Sequence, residues 1–402
     1  MSAPCFAILG TDGHVPDPTR FDDAGLLAVL GGNAGNLMFQ HAVTRLLDAD
    51  LVHISPAFTP YSDTAALRPA QALVFPAANH LRAGADWTGL NNYLAGCGKP
   101  LVLLGLGAQA PRPDGDAETI ATLCRDPHVQ RMADILREKA ALVTVRGPFS
   151  ARVCEALGLR GVEVLGCPSA LLNPDADLGA RIAAALAELP ARIGRGPIRS
   201  CLTAAAPFEI AQDTEKRAVE RRLFNWFGGL YVQQSGGIDT MRAARGDWAL
   251  LPAGAQATIA RTLAPDADPQ GVGEKLTRSG RFFTSAPDWI GAMADCDLAI
   301  GTRLHGTMAA LAAGCPGVVI IHDSRTAELA ETMQLPRLTM AEVLAALDAA
   351  SLIASVRFDG RAFDLWRADA AARLGLAFAR AGLPASRHLT GLAAQDFIRR
   401  TA

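Results

Sequence analysis

Short apolar segments alternate with helix-length amphipathic segments along almost the whole of this 402-residue chain. In the first half, apolar segments such as Cys5–Leu9, Leu26–Leu30, Leu101–Gly105 and Ala141–Val145 predict strands, and segments such as Pro127–Lys139 predict helices between them. Parallel strands connected by helices are buried on both faces, so they read as continuous apolar runs. The pattern therefore predicts an α/β protein with parallel sheets.

The alternation pauses between residues 173 and 197, where a predicted helix over Leu178–Leu189 is followed by a Gly-Arg-Gly-Pro segment. It then resumes up to about residue 350. We therefore predict two Rossmann-like parallel-sheet domains, residues 1–190 and 197–350, that face each other across a cleft. A helical segment over residues 351–402 follows, and its long helix is expected to pack back on the first domain. Ligands of such sheets bind outside the carboxyl ends of the strands.

The composition narrows the classes of function. The net charge is −2, so no basic surplus favours binding to nucleic acid. Eight cysteines form neither a CxxC pair nor a zinc-type cluster with histidine, which is typical of reduced thiols in a cytoplasmic protein without a bound metal. No secretory leader is expected at the start, and no apolar run has transmembrane length. Peripheral contact with a membrane stays open.

The most informative segment runs from Asp297 to His322 and predicts a strand, a tight turn, a helix and the next strand. Arg303 and His305 lie in the turn and supply a permanent cation and a group that titrates near neutral pH. Gly306 and Thr307 are expected at the start of the helix, where free backbone amides form an anion site. A histidine in a loop is more often only a satisfied polar residue, but this one lies at the ligand-facing end of a strand.

Other candidate ligand residues follow predicted strands or open predicted helices. Arg146 directly follows the strand Ala141–Val145, and Leu304 is expected to anchor its turn while its backbone reaches a ligand. The remaining candidates lie in turns at the same predicted edge: Asn33, Asn36, His80, Gln109, His322 and Arg325. For the tryptophans Trp87, Trp226 and Trp289, packing in the core is favoured over stacking on a sugar.

Several motifs together resemble those of the polysaccharide pyruvyl transferase family. Gly301–Gly306, with the sequence Gly-Thr-Arg-Leu-His-Gly, is similar to the family's signature, and the helix and Gly-Cys-Pro turn that follow extend the match. Looser matches are the loop Gly32–Asn36, the strand end Leu104–Gln109, the segment Val145–Ser150 and the turn Gly166–Ala170. The chain departs from the pattern at Gly147 and Cys167, where acidic residues are usual.

The resemblance implies an enzyme with a fold like that of the B-type (GT-B) glycosyltransferases. It further implies transfer of the pyruvyl group of phosphoenolpyruvate to a sugar of a polysaccharide or its lipid-linked precursor, commonly as a ketal, without a cofactor. In that reaction His305 would transfer protons, and Arg303 and Arg146 would hold phosphate and carboxylate. Two alternatives stay open: a transferase of the same architecture that uses a nucleotide-sugar, and a non-catalytic family member that binds a sugar or an acid.

Overall fold

The computed structural model describes residues 4–55, 64–109 and 117–401, and the side chains up to residue 394. Its strands are β1 (Cys5–Leu9), β2 (Asp50–Ile54), β3 (Leu73–Pro76), β4 (Leu101–Leu106), β5 (Ala140–Val145), β6 (Glu163–Val164), β7 (Ser200–Thr203), β8 (Leu230–Val232), β9 (Gly280–Arg281), β10 (Leu298–Gly301), β11 (Gly317–Ile321) and β12 (Arg337–Thr339). They form two sheets, one in each half of the chain.

Both sheets are parallel throughout. Their strand orders are β2-β1-β3-β4-β5-β6 and β12-β11-β10-β7-β8-β9, and in each sheet the order reverses beside the first strand of its half. Such a reversal leaves a crevice at the carboxyl ends of the strands on either side of it. The predicted α/β class, with two Rossmann-like sheets in a GT-B-like arrangement, is confirmed. The predicted division near residue 190 stays a prediction.

The helices cover both faces of the sheets. They are α1 (Asp23–Val29), α2 (Asn36–Leu46), α3 (Thr88–Gly96), α4 (Ala117–Arg125), α5 (Pro127–Lys139), α6 (Pro148–Ala156), α7 (Leu178–Arg195), α8 (Pro207–Ile210), α9 (Thr214–Trp226), α10 (Gly237–Arg245), α11 (Ala253–Leu263), α12 (Pro269–Ser279), α13 (Ala286–Ala294), α14 (Leu304–Ala312), α15 (Ser324–Thr332), α16 (Met340–Ala345), α17 (Ala349–Ala354), α18 (Gly360–Arg380) and α19 (Arg387–Thr401). In the described part of the chain, no helix combines the length and the apolar character that a membrane span requires.

Two local predictions were wrong. The apolar run Leu26–Leu30, predicted as a strand, belongs to helix α1, whose first turn is capped by the Asp22 carboxylate accepting a hydrogen bond from the Gly25 amide at 2.7 Å. Helix α7 does not end at Leu189 but continues through Pro190 to Arg195. A short apolar run has no periodicity that separates a strand from a buried helix.

Helices α2 and α18 are among the elements that join the halves. Helix α2 buries Val43 and Leu46 against the first sheet, while Leu37 and Met38 pack with residues of the second half. Helix α18 begins in the core of the second half, and its later turns pack beside α19 in the core of the first sheet. The loop before α2 is thereby held between the two sheets, where the ends of their strands face each other.

Candidate active site

One cavity of about 540 Å³ lies between the carboxyl ends of the two sheets. Residues from both halves line it, including the predicted site residues Asn33, Asn36, His80, Gln109, Arg146, Arg303, Leu304, His305 and Arg325. Four arginines face it, at positions 82, 146, 303 and 325, but Asp86 is the only acidic residue among the described lining residues. The lining is therefore cationic, as a site for an anionic ligand requires.

Arg146 directly follows β5 and is buried, with 3% of its surface exposed. Its guanidinium donates hydrogen bonds to neutral oxygens: the Gly105 carbonyl at 2.9 Å, Asn79 Oδ1 at 2.9 Å and the Ala77 carbonyl at 3.3 Å. No ion pair to Arg146 is found among the described residues. A buried guanidinium stays charged, so this site holds a fixed positive charge that an anionic ligand can neutralise.

His305 lies in the first turn of α14, and 7% of its surface is exposed. Its Nε2 is buried and has no hydrogen-bond partner among the described residues. Burial, together with the positive charges of Arg146 and Arg325, lowers the pKa of His305 well below its ordinary value. The imidazole is therefore neutral at neutral pH.

Three elements converge on Gly35. A Cβ on this residue would lie 2.7 Å from Nδ1 of His305, 2.7 Å from Nε2 of Gln234 and 2.9 Å from Oδ1 of Asn33. Asn33 Oδ1 also accepts a hydrogen bond from the Gly35 amide at 2.8 Å. Since only a glycine leaves room for these groups, the loop before α2 presses its backbone directly against the imidazole.

Arg303 and Arg325 also face the cavity, but each has a carboxylate partner. Arg303 forms an ion pair with Glu209, and Arg325 lies 3.6 Å from the Asp323 carboxylate. The Nε atoms of both arginines are buried without a partner in the described part of the chain. Behind Arg303, burial raises the pKa of Glu220 to about 8, although the Ala205 amide and Arg303 lower it. These arginines keep donors available for a ligand.

His80 and Gln109 lie beside Arg146. The Ala78 amide donates to Nδ1 of His80 at 3.0 Å, so Nε2 carries the proton in the neutral ring. Burial and the charge of Arg146 lower the pKa of His80 to about 4. Gln109 Oε1 accepts a hydrogen bond from Nδ2 of Asn79 at 3.4 Å. Both residues therefore support the side of the cavity that contains Arg146.

Three predicted residues are placed away from the cavity. Helix α14 begins at Leu304 rather than Gly306, and the Gly306 amide donates to the Arg303 carbonyl at 3.2 Å. Gly306 instead allows close packing, since its Cβ would lie 2.3 Å from Cγ2 of Thr203. Thr307 is fully buried in the helix. His322 is outside the described cavity lining, and its Nδ1 lies 3.2 Å from the Ile320 carbonyl.

Three further polar residues line the cavity that were not predicted from the sequence: Gln234, Asn79 and Arg82. Gln234 follows β8 and Asn79 follows β3, so a polar residue just after a parallel strand was the available signal. Arg82 lies in an exposed loop with its guanidinium carbon 5.7 Å from the centre of the Trp87 ring, and a lone exposed arginine gives no such signal. Within the described ranges, no cluster of three histidine, cysteine or acidic residues is placed to hold a metal ion.

Comparison with known proteins gives one family match and distant structural likenesses. The model of the family described as polysaccharide pyruvyl transferase matches residues 33–203 and 275–324. No curated protein sequence matches the chain. Solved structures of Anabaena Alr3699/HepE are similar at a distance: the complex with UDP and glucose at 11% identity and TM-score 0.38, and the complex with UDP-glucose at 12% and 0.38. Each comparison covers 91% of this chain and 98% of the other.

Proposed function

Because this chain belongs to the polysaccharide pyruvyl transferase family, we propose that it moves the pyruvyl group of phosphoenolpyruvate onto a saccharide and closes a ketal across two hydroxyls. The observation that carries the proposal is the pairing of Arg146, a buried cation without a carboxylate partner in the described chain, with the neutral His305 in one cavity. Arg146 provides positive charge for an anionic donor substrate, and His305 provides a nitrogen that can hold a proton.

Different arginines would bind the phosphate and the carboxylate of phosphoenolpyruvate. A guanidinium binds phosphate or carboxylate through two parallel hydrogen bonds. Arg146 reaches the cavity from the first half, whereas Arg303 and Arg325 reach it from the second half. Phosphoenolpyruvate bound between them would supply the negative charge that Arg146 lacks and would present its double bond toward His305.

His305 would carry the proton that the reaction must move. The methylene carbon gains a proton, and the carbon that bears the phosphate becomes an oxocarbenium-like centre that the first saccharide hydroxyl attacks. The bond to phosphate breaks, and the second hydroxyl closes the ketal. Of the two hydroxyl protons, one ends on the methyl carbon and the other leaves with inorganic phosphate. A single imidazole that accepts from a hydroxyl and donates to carbon satisfies this balance.

Donor binding would tune His305 for this role. The charges of Arg146 and Arg325 help to keep the pKa of His305 low. A bound phosphate and carboxylate would offset those charges and raise that pKa, so the imidazole would hold a proton only when the donor is present. Protonation would thus be linked to substrate binding, and no cofactor is needed for any step.

The acceptor would occupy the uncharged part of the cavity, where Gly10, Gln40 and Ser55 line the first half. We place the reaction in the cytoplasm, and the eight cysteines, all free of disulfides, support a reducing compartment. The proposal is tested by phosphate release from phosphoenolpyruvate in the presence of glycosides and lipid-linked saccharides. Mass spectrometry then checks each product for one added pyruvyl group.

A further inference from the structure

Helix α6 follows Arg146 directly, but its own first residues do not cap it. Gly147 occupies the N-cap position and has no side chain to accept hydrogen bonds from the free amides of the first turn. Glu328, in α15 of the other half, takes this role. Its Oε1 accepts from the Ser150 amide at 2.7 Å, and its Oε2 accepts from the Ser150 hydroxyl at 3.0 Å.

The glycine at position 147 is required by space rather than by conformation. Its backbone is extended, with φ at −178°, which any residue adopts. A Cβ there would lie 2.2 Å from Cγ and 2.7 Å from Cδ of Glu328. The Glu328 side chain therefore fills the volume that a side chain at position 147 would need. The acidic group usual after the arginine is absent from the chain at this position, but a carboxylate still lies at the helix start.

A second contact joins α15 to the first half. The Cys167 amide donates to Sδ of Met333, the C-cap residue just after α15, at 3.2 Å. A Cβ on Gly166 would lie 2.6 Å from Cγ of the same methionine. Both departures from the family pattern, Gly147 and Cys167, thus lie against one helix of the other half. Close packing on Glu328 and on Met333 requires glycine at positions 147 and 166.

We propose that Glu328 is a positioning residue that caps α6 from the opposite half of the molecule and thereby holds Arg146 at the cavity. A carboxylate at a helix start is favoured by the helix dipole and by the free amides. Because Arg146 precedes the capped turn by one residue, the position of its guanidinium depends on that turn. The contact also fixes the halves relative to each other at the point where both contribute to the site.

Glu328 is buried, which is consistent with its role as the cap of α6. Burial raises the pKa of Glu328, although the hydrogen bonds from Ser150 and the charge of Arg146 lower it. No ion pair joins Glu328 to Arg146 among the described residues, so the guanidinium N–H groups that do not bond to Gly105, Asn79 and Ala77 stay available for a ligand while a carboxylate lies nearby. The effect on KM for phosphoenolpyruvate rests on the proposed function, whereas the capping of α6 by Glu328 does not.

The test transfers the capping carboxylate from residue 328 in one half to residue 147 in the other. Thr332→Ala is the common background, because Oγ1 of Thr332 also lies 2.7 Å from the Cβ that position 147 would gain. In this background we compare Glu328→Ala, Gly147→Asp, and both together, by melting temperature and by kcat and KM for phosphoenolpyruvate. Glu328→Gln, which keeps an acceptor for the Ser150 amide, separates capping from charge.

Glu328→Ala should lower the melting temperature and raise KM for phosphoenolpyruvate on the order of tenfold, with kcat changed much less. Gly147→Asp alone should be damaging, because it collides with Glu328. Combined with Glu328→Ala, it should recover most of both losses, since an N-cap aspartate can accept from the Ser150 amide. Glu328→Gln should stay within about threefold of the parent KM.

The proposal is overturned if the combined variant is no better than Glu328→Ala, because the cap is then not transferable. It is also overturned if Glu328→Gln raises KM as much as Glu328→Ala, or if Glu328→Ala lowers stability and leaves KM unchanged. If the parent protein does not turn over phosphoenolpyruvate with any saccharide, the proposed function fails. The melting temperatures of the four variants then still decide whether Glu328 is the cap.

Discussion

Nδ1 of His305 lies 2.7 Å from the point that a Cβ on Gly35 would occupy. The two residues come from different halves of the chain, the glycine from the loop before α2 and the histidine from the first turn of α14. The imidazole thus lies directly against the backbone of the loop before α2, with the ring of Phe39 5.4 Å away. The position of the imidazole is fixed by the contact between the two halves.

Gly35→Ala should lower kcat by at least about tenfold, because the added methyl group must displace the imidazole or Gln234, and small misplacements in an active site are costly. Melting temperature and steady-state kinetics are the measurements. Gly291→Ala in α13, where a Cβ meets nothing within 4 Å, is the matched control; it should leave kcat unchanged and should not lower the melting temperature, since alanine is favoured over glycine in a helix. An active Gly35→Ala variant would show that the ring has freedom to move.

Arg146→Lys should raise KM for phosphoenolpyruvate by about 10- to 100-fold, since an ammonium cannot form the two-pronged contact and loses the bonds to Gly105 and Asn79. Arg152→Lys is the control, because Arg152 is exposed on α6, six residues away. Binding of phosphoenolpyruvate by calorimetry separates affinity from turnover. Equal affinity in both variants would remove Arg146 from the donor site.

Binding of phosphoenolpyruvate should be accompanied by proton uptake near the ordinary pKa of histidine, about 6.5. Burial and the charges of Arg146 and Arg325 hold the pKa of His305 well below that value, and a bound anion should raise this pKa by offsetting the two arginines. Calorimetry in buffers of different ionisation enthalpy measures the uptake. The difference between the parent and His305→Gln isolates the histidine, and a zero difference would contradict the linkage.

Acid should destabilise the fold partly through His80. Its pKa is about 4 in the folded protein and near 6.5 when unfolded, so the unfolded chain binds the proton more tightly. The contribution of neutral His80 to the free energy of unfolding is fully present above pH 6.5 and is lost as the pH falls toward 4. His80→Gln should therefore show a weaker loss of unfolding free energy over that range, by a few kcal/mol at most. Urea unfolding of the parent and of His80→Gln at several pH values measures how the free energy of unfolding depends on pH. Parallel curves for the two proteins would contradict the prediction.

Much of the fold could be predicted from the sequence, because buried parallel strands leave continuous apolar runs. The run Leu26–Leu30 was misread, since it is too short to show a helical period and its cap, Asp22, gives only a weak signal. Arg303 and His305 could be found because they follow a strand directly. Gln234 carried the same kind of signal after β8. Glu328 could not be found, because its role depends on how the two halves meet, which no local pattern encodes.

Arg146 and His305 are proposed to serve one pyruvyl transfer site. The most direct measurement is release of inorganic phosphate from phosphoenolpyruvate, with the saccharide product identified by mass. The parent and His322→Gln, a histidine outside the described cavity lining, should release phosphate in a saccharide-dependent way, and His305→Gln should be slower by about 100- to 10,000-fold. Parent-like turnover by folded His305→Gln, or release of a nucleotide from a nucleotide-sugar with no phosphate release from phosphoenolpyruvate, would contradict it.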